Sequence, residues 1–327
     1  MHAYRDADAD LSLIRGRKVA VVGYGNQGRA QALNLRDSGV SVTIALREDS
    51  PRRGKARDDG FDVMTAAEAA EAADLVVMLA EDEGHASLHA EAIAPNLRQG
   101  GALVFAHGLS IRFGLIDPRP DLDVLLVAPK GPGTALRSEY EAGRGLIALF
   151  AVHQDATGGA EALALSYGAA IGSGRAGMLA TSFAEECEAD LFNEQAVLWG
   201  AIPELIHAGF ETLVEAGFSP EIAYFECLTE VKLLADLIAE RGIAGMREAI
   251  SNTAEFGALE GGARIVTPET RAEMRRILAE VRSGSFTKKL IADAEAGYPR
   301  LSASRGEAAA HPIEAVRRRL LDLGGGT

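Results

Sequence analysis

Between positions 18 and 152 the apolar residues fall into short, β-branched runs separated by stretches with helical spacing. KVAVV (18–22) reads as a strand that stops at Gly23, and Ala30, Leu33 and Leu35 then carry a helical pattern as far as Gly39. VSVTIAL (40–46), DLVVMLA (74–80), ALVFAHG (102–108) and VLLVAPKGPG (124–133) predict four more strands, and LIALFAV (146–152) a last one. Helical stretches at 65–73 and 86–98 separate several of them, and another follows at about 157–169. Strands apolar on both alternations, with helices between them, predict a parallel sheet covered on both faces.

From about residue 182 the pattern is helical almost throughout. The change lies near Gly174 to Thr181, where composition shifts from β-branched residues to Ala, Glu and Leu, and it predicts domains at 1–181 and 182–327. A chain of 327 residues can bury two such cores without disulfides. Within the helical part, YFECLTEVKLLADLIA (224–239) reads as a buried helix, yet it carries Glu226 and Glu230 one turn apart.

Charge narrows the function classes. A net charge of -14 argues against a nucleic-acid surface, which draws on clustered Lys and Arg. The N-terminal residues lack a basic segment followed by an apolar one, and no apolar stretch is long and charge-free enough to span a bilayer, so a soluble cytoplasmic protein is expected. Cys187 and Cys227 lack the paired spacing of a zinc or redox motif and read as small, reduced, mostly buried residues.

GYGNQG (23–28) fits G-x-G-x-x-G with a strand before it and a helix after it, the setting in which the motif indicates a Rossmann-type doubly wound sheet and a dinucleotide. Where a ribose-binding acid would stand at the end of the second strand, the chain has Leu46 and Arg47, followed by Ser50, Arg52 and Arg53. Arg47 and Ser50 suit a 2′-phosphate, whereas Glu48 and Asp49 would oppose it if they point inward; NADPH is therefore favoured over NADH.

Asp190 with Glu194, and Glu226 with Glu230, are i, i+4 pairs, so each pair shares one helix face. Like charges among Leu191, Phe192, Phe225, Leu228 and Leu233 call for a compensating cation. An oxygen-only donor set favours Mg²⁺ over Zn²⁺. One such pair alone would read as a solvated acidic face; two inside apolar helices shift the reading to metal. His107 and Lys130 follow the fourth and fifth strands, at the sheet edge where ligands bind in open α/β folds.

These residues resemble one family, the short-form (class I) ketol-acid reductoisomerases. The resemblance runs from DADLSLIRGRKVAVVGYGNQG to HPIEAVRRRL through FAHG, APKGPG, DLFNEQAVL, YFECLTEVKL and GIAGMREAISNTAEFG. It implies an N-terminal Rossmann-type domain, an all-helical knotted C-terminal domain, and a two-part reaction. An alkyl group of a 2-hydroxy-2-alkyl-3-oxo acid such as 2-acetolactate migrates, and NADPH then reduces the product to a 2,3-dihydroxy acid of valine and isoleucine biosynthesis. The resemblance places two Mg²⁺ on Asp190, Glu194, Glu226 and Glu230, and proton handling on Lys130, Glu194 and His107. Ser251 would bind the substrate carboxylate, with Ile250 and Ala254 near the migrating group. Cofactor contacts would come from Gly23, Tyr24, Gly25, Asn26, Gln27, Gly28, Arg47, Ser50, Arg52, Asp82 and Gly133. It also implies a homodimer or larger homo-oligomer whose active sites take Asp190-type ligands from one subunit and the ECLTE and Ser251 residues from its partner.

The sequence departs from the family pattern at Leu109, Ser110, Arg112, Thr134, Asn193 and Thr229, and has Glu81 where proline is common and Asp49 where glycine is common. Two other readings follow from these departures: a specialised paralogue that reduces a different 2-oxo acid or has lost isomerisation, and a catalytically silent NADP-binding protein. The intact carboxylates, Lys130 and Ser251 count against the second.

Overall fold

The structure, a computed structural model, describes residues 2–323. The chain divides into two compact units, Met1–Ala189 and Asp190–Thr327, and the division falls inside the helix Phe183–Asn193.

The first unit is built on nine strands: β1 Ala3–Tyr4, β2 Lys18–Val22, β3 Ser41–Ala45, β4 Asp62–Met64, β5 Leu75–Met78, β6 Ala102–Phe105, β7 Asp123–Pro129, β8 Ala148–Gln154 and β9 Met178–Ala180. Their order in the sheet is β1-β9-β8-β7-β6-β5-β2-β3-β4. The six strands from β4 to β7 are parallel and follow the doubly wound dinucleotide-binding order, reversing direction of winding between β2 and β5. Side chains alternate between two cores. Val19, Val21, Leu75, Val77 and Val104 join one, whereas Ala20, Val22, Val76, Met78 and Phe105 join the other. This is why the strands read as continuous apolar runs.

The expectation of a wholly parallel sheet is corrected. β8 pairs antiparallel with β7, and β1 pairs antiparallel with β9. The turn-rich connection from Gly131 through the helix Gly133–Glu141 to Gly145 returns the chain alongside β7, so β8 adds as a neighbour of opposite direction. The strands β1, β4 and β9 are two or three residues long and lack the alternation that marks a strand in sequence.

The second unit is helical among its described residues: Ala201–Glu215, Pro220–Tyr224, Glu230–Ala249, Asn252–Ile265, Pro268–Arg282, Ser285–Glu295, Pro299–Ala310 and Pro312–Leu323. Ser219, Ser251 and Thr267 cap three of them through side-chain oxygens, and Pro220 and Pro268 occupy first helical positions. Phe210, Ala223, Ile313 and Val316 form a small core. The buried helix expected at 224–239 is also corrected: Phe225 is 45% exposed and Leu233 67%. Two π-helical segments, Glu194–Leu198 and Phe225–Thr229, interrupt the α-helical geometry.

Candidate active site

The glycine turn sits at the switch point between β2 and β5. Gly23 has φ 104°, and a Cβ there would collide with the Leu79 carbonyl of the strand next door. Gly28 packs its helix directly onto the Gly23 carbonyl. Gly25 stands in open space as the N-cap of helix Asn26–Asp37 and has no side-chain cap, so the first N–H groups of the helix face outward, the arrangement that receives phosphate.

Several expected cofactor contacts have structural duties. Tyr24 is buried and donates to Asp59 Oδ2 at 2.8 Å. Asn26 Oδ1 accepts from Thr134 N–H at 2.8 Å, and Gln27 Nε2 donates to the Gly131 carbonyl at 2.8 Å, so both side chains tie the APKGPG loop to the turn. Arg53 is used within the fold, donating to the carbonyls of Leu46 (2.8 Å) and Val63 (3.2 Å). Arg47 projects into solvent with its side chain 89% exposed, and its Nε lies 3.9 Å from Asp49. Ser50 Oγ accepts from Arg52 N–H at 3.4 Å.

A cavity of about 330 Å³ opens beside the turn, lined by Tyr24, Gly25, Asn26, Arg52, Gly133 and Thr134 and by three cations not singled out from sequence, Arg29, Lys55 and Arg137. Each of the three looks like an ordinary surface charge in sequence; helix packing alone gathers them. Arg29 is held by Asp59 at 2.7 Å, and that hydrogen bond keeps the Asp59 carboxyl down at about 2.

At the ends of β6 and β7 the structure brings His107 and Lys130 onto one carboxylate. Glu186, on helix Phe183–Asn193, accepts from Lys130 Nζ at 2.7 Å and from Gly108 N–H at 2.9 Å, and its Oε2 lies 3.2 Å from His107 Nδ1. Gly108 makes this approach feasible, since a Cβ there would strike the Phe183 carbonyl. Glu186 is buried. Burial would raise its pKa, but His107 and Lys130 together outweigh that and hold it below the usual carboxylate range. Burial likewise opposes the charged form of His107, yet contacts with Cys187 and Glu186 and the field of Asp82 keep it well above the usual imidazole value. Asp82 is pushed up by burial. Glu186 escaped sequence reasoning because FAEECEADL offers many acids at similar spacing.

Asp190 follows Glu186 by one turn on the same helix, and Glu194 opens the first π-helical segment. Glu226 lies inside the second, and Glu230 begins the α-helix after it. Each predicted pair therefore has one member inside a π-helical segment and the other in the adjoining α-helix, a distortion that recurs at functional sites. Among the described residues, the four carboxylates do not gather within one metal's reach in a single chain. Ser251 caps helix Asn252–Ile265, its Oγ accepting from Ala254 N–H at 3.2 Å; Ile250 is half-buried and Ala254 exposed.

A doubly wound sheet with a glycine-turn phosphate seat, and a Lys–Glu–His cluster at the same strand ends, defines an oxidoreductase that uses a nicotinamide cofactor. Residues 13–177 match the acetohydroxy acid isomeroreductase NADPH-binding domain, and residues 183–324 the ketol-acid reductoisomerase C-terminal domain. The chain belongs to the ketol-acid reductoisomerase family.

Among solved structures, an NADH-preferring ketol-acid reductoisomerase from an uncultured archaeon is 42% identical, with 99% of each chain covered and a TM-score of 0.96. A putative oxidoreductase from a Jannaschia species (16% identity, 82% of this chain and 97% of that one, TM-score 0.62) shares the fold. So does a semialdehyde dehydrogenase NAD-binding protein from Cupriavidus necator (18% identity, 82% and 99%, TM-score 0.61). No helix among the described residues is long and apolar enough to cross a membrane.

Proposed function

We propose that the protein is a Mg²⁺-dependent ketol-acid reductoisomerase that converts 2-acetolactate and 2-aceto-2-hydroxybutanoate to 2,3-dihydroxy acids. The observation that carries this reading is the placement of both carboxylate pairs, Asp190/Glu194 and Glu226/Glu230, at π-helical segments. The donor set is oxygen only, which fits Mg²⁺. Asp190, Glu194, Glu226 and Glu230 would hold the metal ions, which would supply Lewis-acid chemistry for the alkyl shift, and a bound nicotinamide would supply hydride for the reduction.

The chain's own residues manage position and protons. Lys130 Nζ, held at 2.7 Å from Glu186 Oε1, stands ready to exchange a proton with a substrate oxygen, and Glu194 is the second carboxylate assigned to proton transfer. His107, with Nδ1 3.2 Å from Glu186 Oε2, orients solvent and cofactor on the same edge. Ser251 Oγ binds the substrate carboxylate, and Ile250 and Ala254 border the migrating alkyl group.

A homodimer or larger assembly completes the site. Leu233, Ile243, Phe256 and Leu259 are all more than 60% exposed on the helices that follow ECLTE, an apolar face of the kind a partner subunit covers. The partner would then supply Glu226, Glu230 and Ser251 to Asp190 and Glu194.

NADPH is the proposed reductant, supported by Arg47, Ser50 and Arg52 at the end of β3 and by Arg29, Lys55 and Arg137 around the cavity. A second reading, NADH, is favoured by the engagement of Arg53 with main-chain carbonyls and by Asp49 beside Arg47; the archaeal relative bears an NADH-preferring description. The test is nicotinamide oxidation by the purified protein with Mg²⁺, comparing 2-acetolactate with 3-hydroxy-3-methyl-2-oxobutanoate. Turnover of both is expected. Turnover of the second alone would make the protein a reductase that has lost isomerisation, and silence on both would overturn the assignment.

A further inference from the structure

His85 and Ser110 are both buried, and their side chains meet between the glycine turn and the acid–base cluster. His85 Nε2 lies 3.1 Å from the Ala80 carbonyl, which can only accept, so Nε2 carries the hydrogen. Nδ1 then accepts from the Ser110 hydroxyl at 3.0 Å. Asp82 Oδ1, at 3.6 Å from Nδ1, is too far to compete. Burial lowers the His85 pKa, which suits this neutral tautomer.

Each end of the pair is fastened to something functional. Ala80 follows Leu79, whose N–H donates to the Val22 carbonyl at 2.8 Å and whose own carbonyl abuts Gly23. Ser110 lies in the helix Leu109–Arg112, capped by Gly108, and the Gly108 N–H donates to Glu186. A continuous path thus runs from the Gly23 turn through Leu79–Ala80, His85 and Ser110 to Gly108, His107 and Glu186. The neighbouring departures from the family pattern are absorbed inside the fold as well: Leu109 is buried, and Arg112 pairs with Glu188 at 2.8 Å.

We infer that His85 and Ser110 form a positioning strut that fixes the turn after β5 against the His107 loop and thereby sets the nicotinamide cofactor's seat relative to the Lys130–Glu186–His107 cluster. This rests on the nicotinamide reading given above. Neither residue touches the reacting atoms; both act through the backbone they hold.

The test measures NADPH and NADH dissociation constants directly, by nicotinamide fluorescence without substrate, alongside kcat, KM and melting temperature. The proteins are wild type, Ser110→Ala, His85→Phe, the double variant and His85→Gln. Ser110→Ala and His85→Phe are each expected to weaken cofactor binding about tenfold, the loss of roughly one net hydrogen bond. The double variant should be no weaker than the poorer single one, because the two side chains make one link. His85→Gln, which can still donate to Ala80 and accept from Ser110, should stay within about twofold of wild type. A lower melting temperature with unchanged dissociation constants in Ser110→Ala would overturn the strut, as would additive losses or a His85→Gln as weak as His85→Phe. Wild-type protein that binds neither nicotinamide would overturn the underlying reading together with it.

Discussion

The two units treat their charges in opposite ways. In the first, Glu186 is buried with Lys130, His107 and the Gly108 N–H arranged around it, so a costly carboxylate is compensated within one chain. In the second, Glu226 and Glu230 are exposed beside Phe225 and Leu233, which are exposed too. The difference separates a carboxylate that folding itself compensates from a pair that, on the proposed reading, metal ions and a partner subunit would compensate. Removing a charge should therefore disturb folding and chemistry together in the first unit, and chemistry or assembly alone in the second.

The largest effect is expected from Glu226→Gln. It should reduce turnover of 2-acetolactate by about three orders of magnitude, as loss of an electrostatic transition-state contact does, while nicotinamide binding by fluorescence stays unchanged. Full isomerisation by that variant would sink the metal assignment.

Glu186→Gln should lower kcat by about 100-fold, the usual weight of acid–base assistance, and also destabilise the fold by about 1 kcal/mol, because half-buried His107 loses its counter-charge while the loss at the exposed Lys130 is screened by solvent. Urea unfolding alongside kinetics separates the two losses; an unchanged unfolding midpoint would remove the contrast between the units.

Leu233→Asp tests the exposed face. Sedimentation should show a shift toward monomer, with activity falling in step, while the melting of the isolated chain hardly changes. A variant that sediments as wild type would show that this face needs no partner.

Cofactor choice offers a finer measurement. Replacing Arg52 with Ala should reduce the NADPH to NADH preference in kcat/KM by about tenfold, the worth of one charge-assisted hydrogen bond to phosphate. Equal loss for both cofactors would place Arg52 on a group that they share.

The smallest effect concerns acid stability. The Arg29 hydrogen bond depresses Asp59 to about 2 from an ordinary 3.8, so its stabilisation is fully present above pH 3.8 and disappears as pH falls through about 2. Asp59→Asn should cost about 1 kcal/mol at neutral pH after solvent screening and flatten the acid limb of the stability curve between those values. A wild-type slope in that range would show that the pair contributes nothing measurable.

Much of this was legible in the chain itself. Local pattern was enough to read the runs KVAVV, DLVVMLA and ALVFAHG as strands and GYGNQG as a phosphate turn, because side-chain alternation and glycine's freedom at Gly23 are properties of a few adjacent residues. The i, i+4 spacing singled out each carboxylate pair, but not the π-helical segments in which Glu194 and Glu226 sit.

What the sequence could not express were relations between distant segments. Glu186 gains its meaning from Lys130, 56 residues away, and from Gly108, 78 residues away. The reversed direction of β8, the three short strands β1, β4 and β9 and the clustering of Arg29, Lys55 and Arg137 were decided by packing, as were the π-helical segments at the carboxylates. Local periodicity records which face a residue takes along its own element. Which groups then confront one another depends on burial and hydrogen-bond satisfaction across the whole fold, and only the tertiary structure settles that.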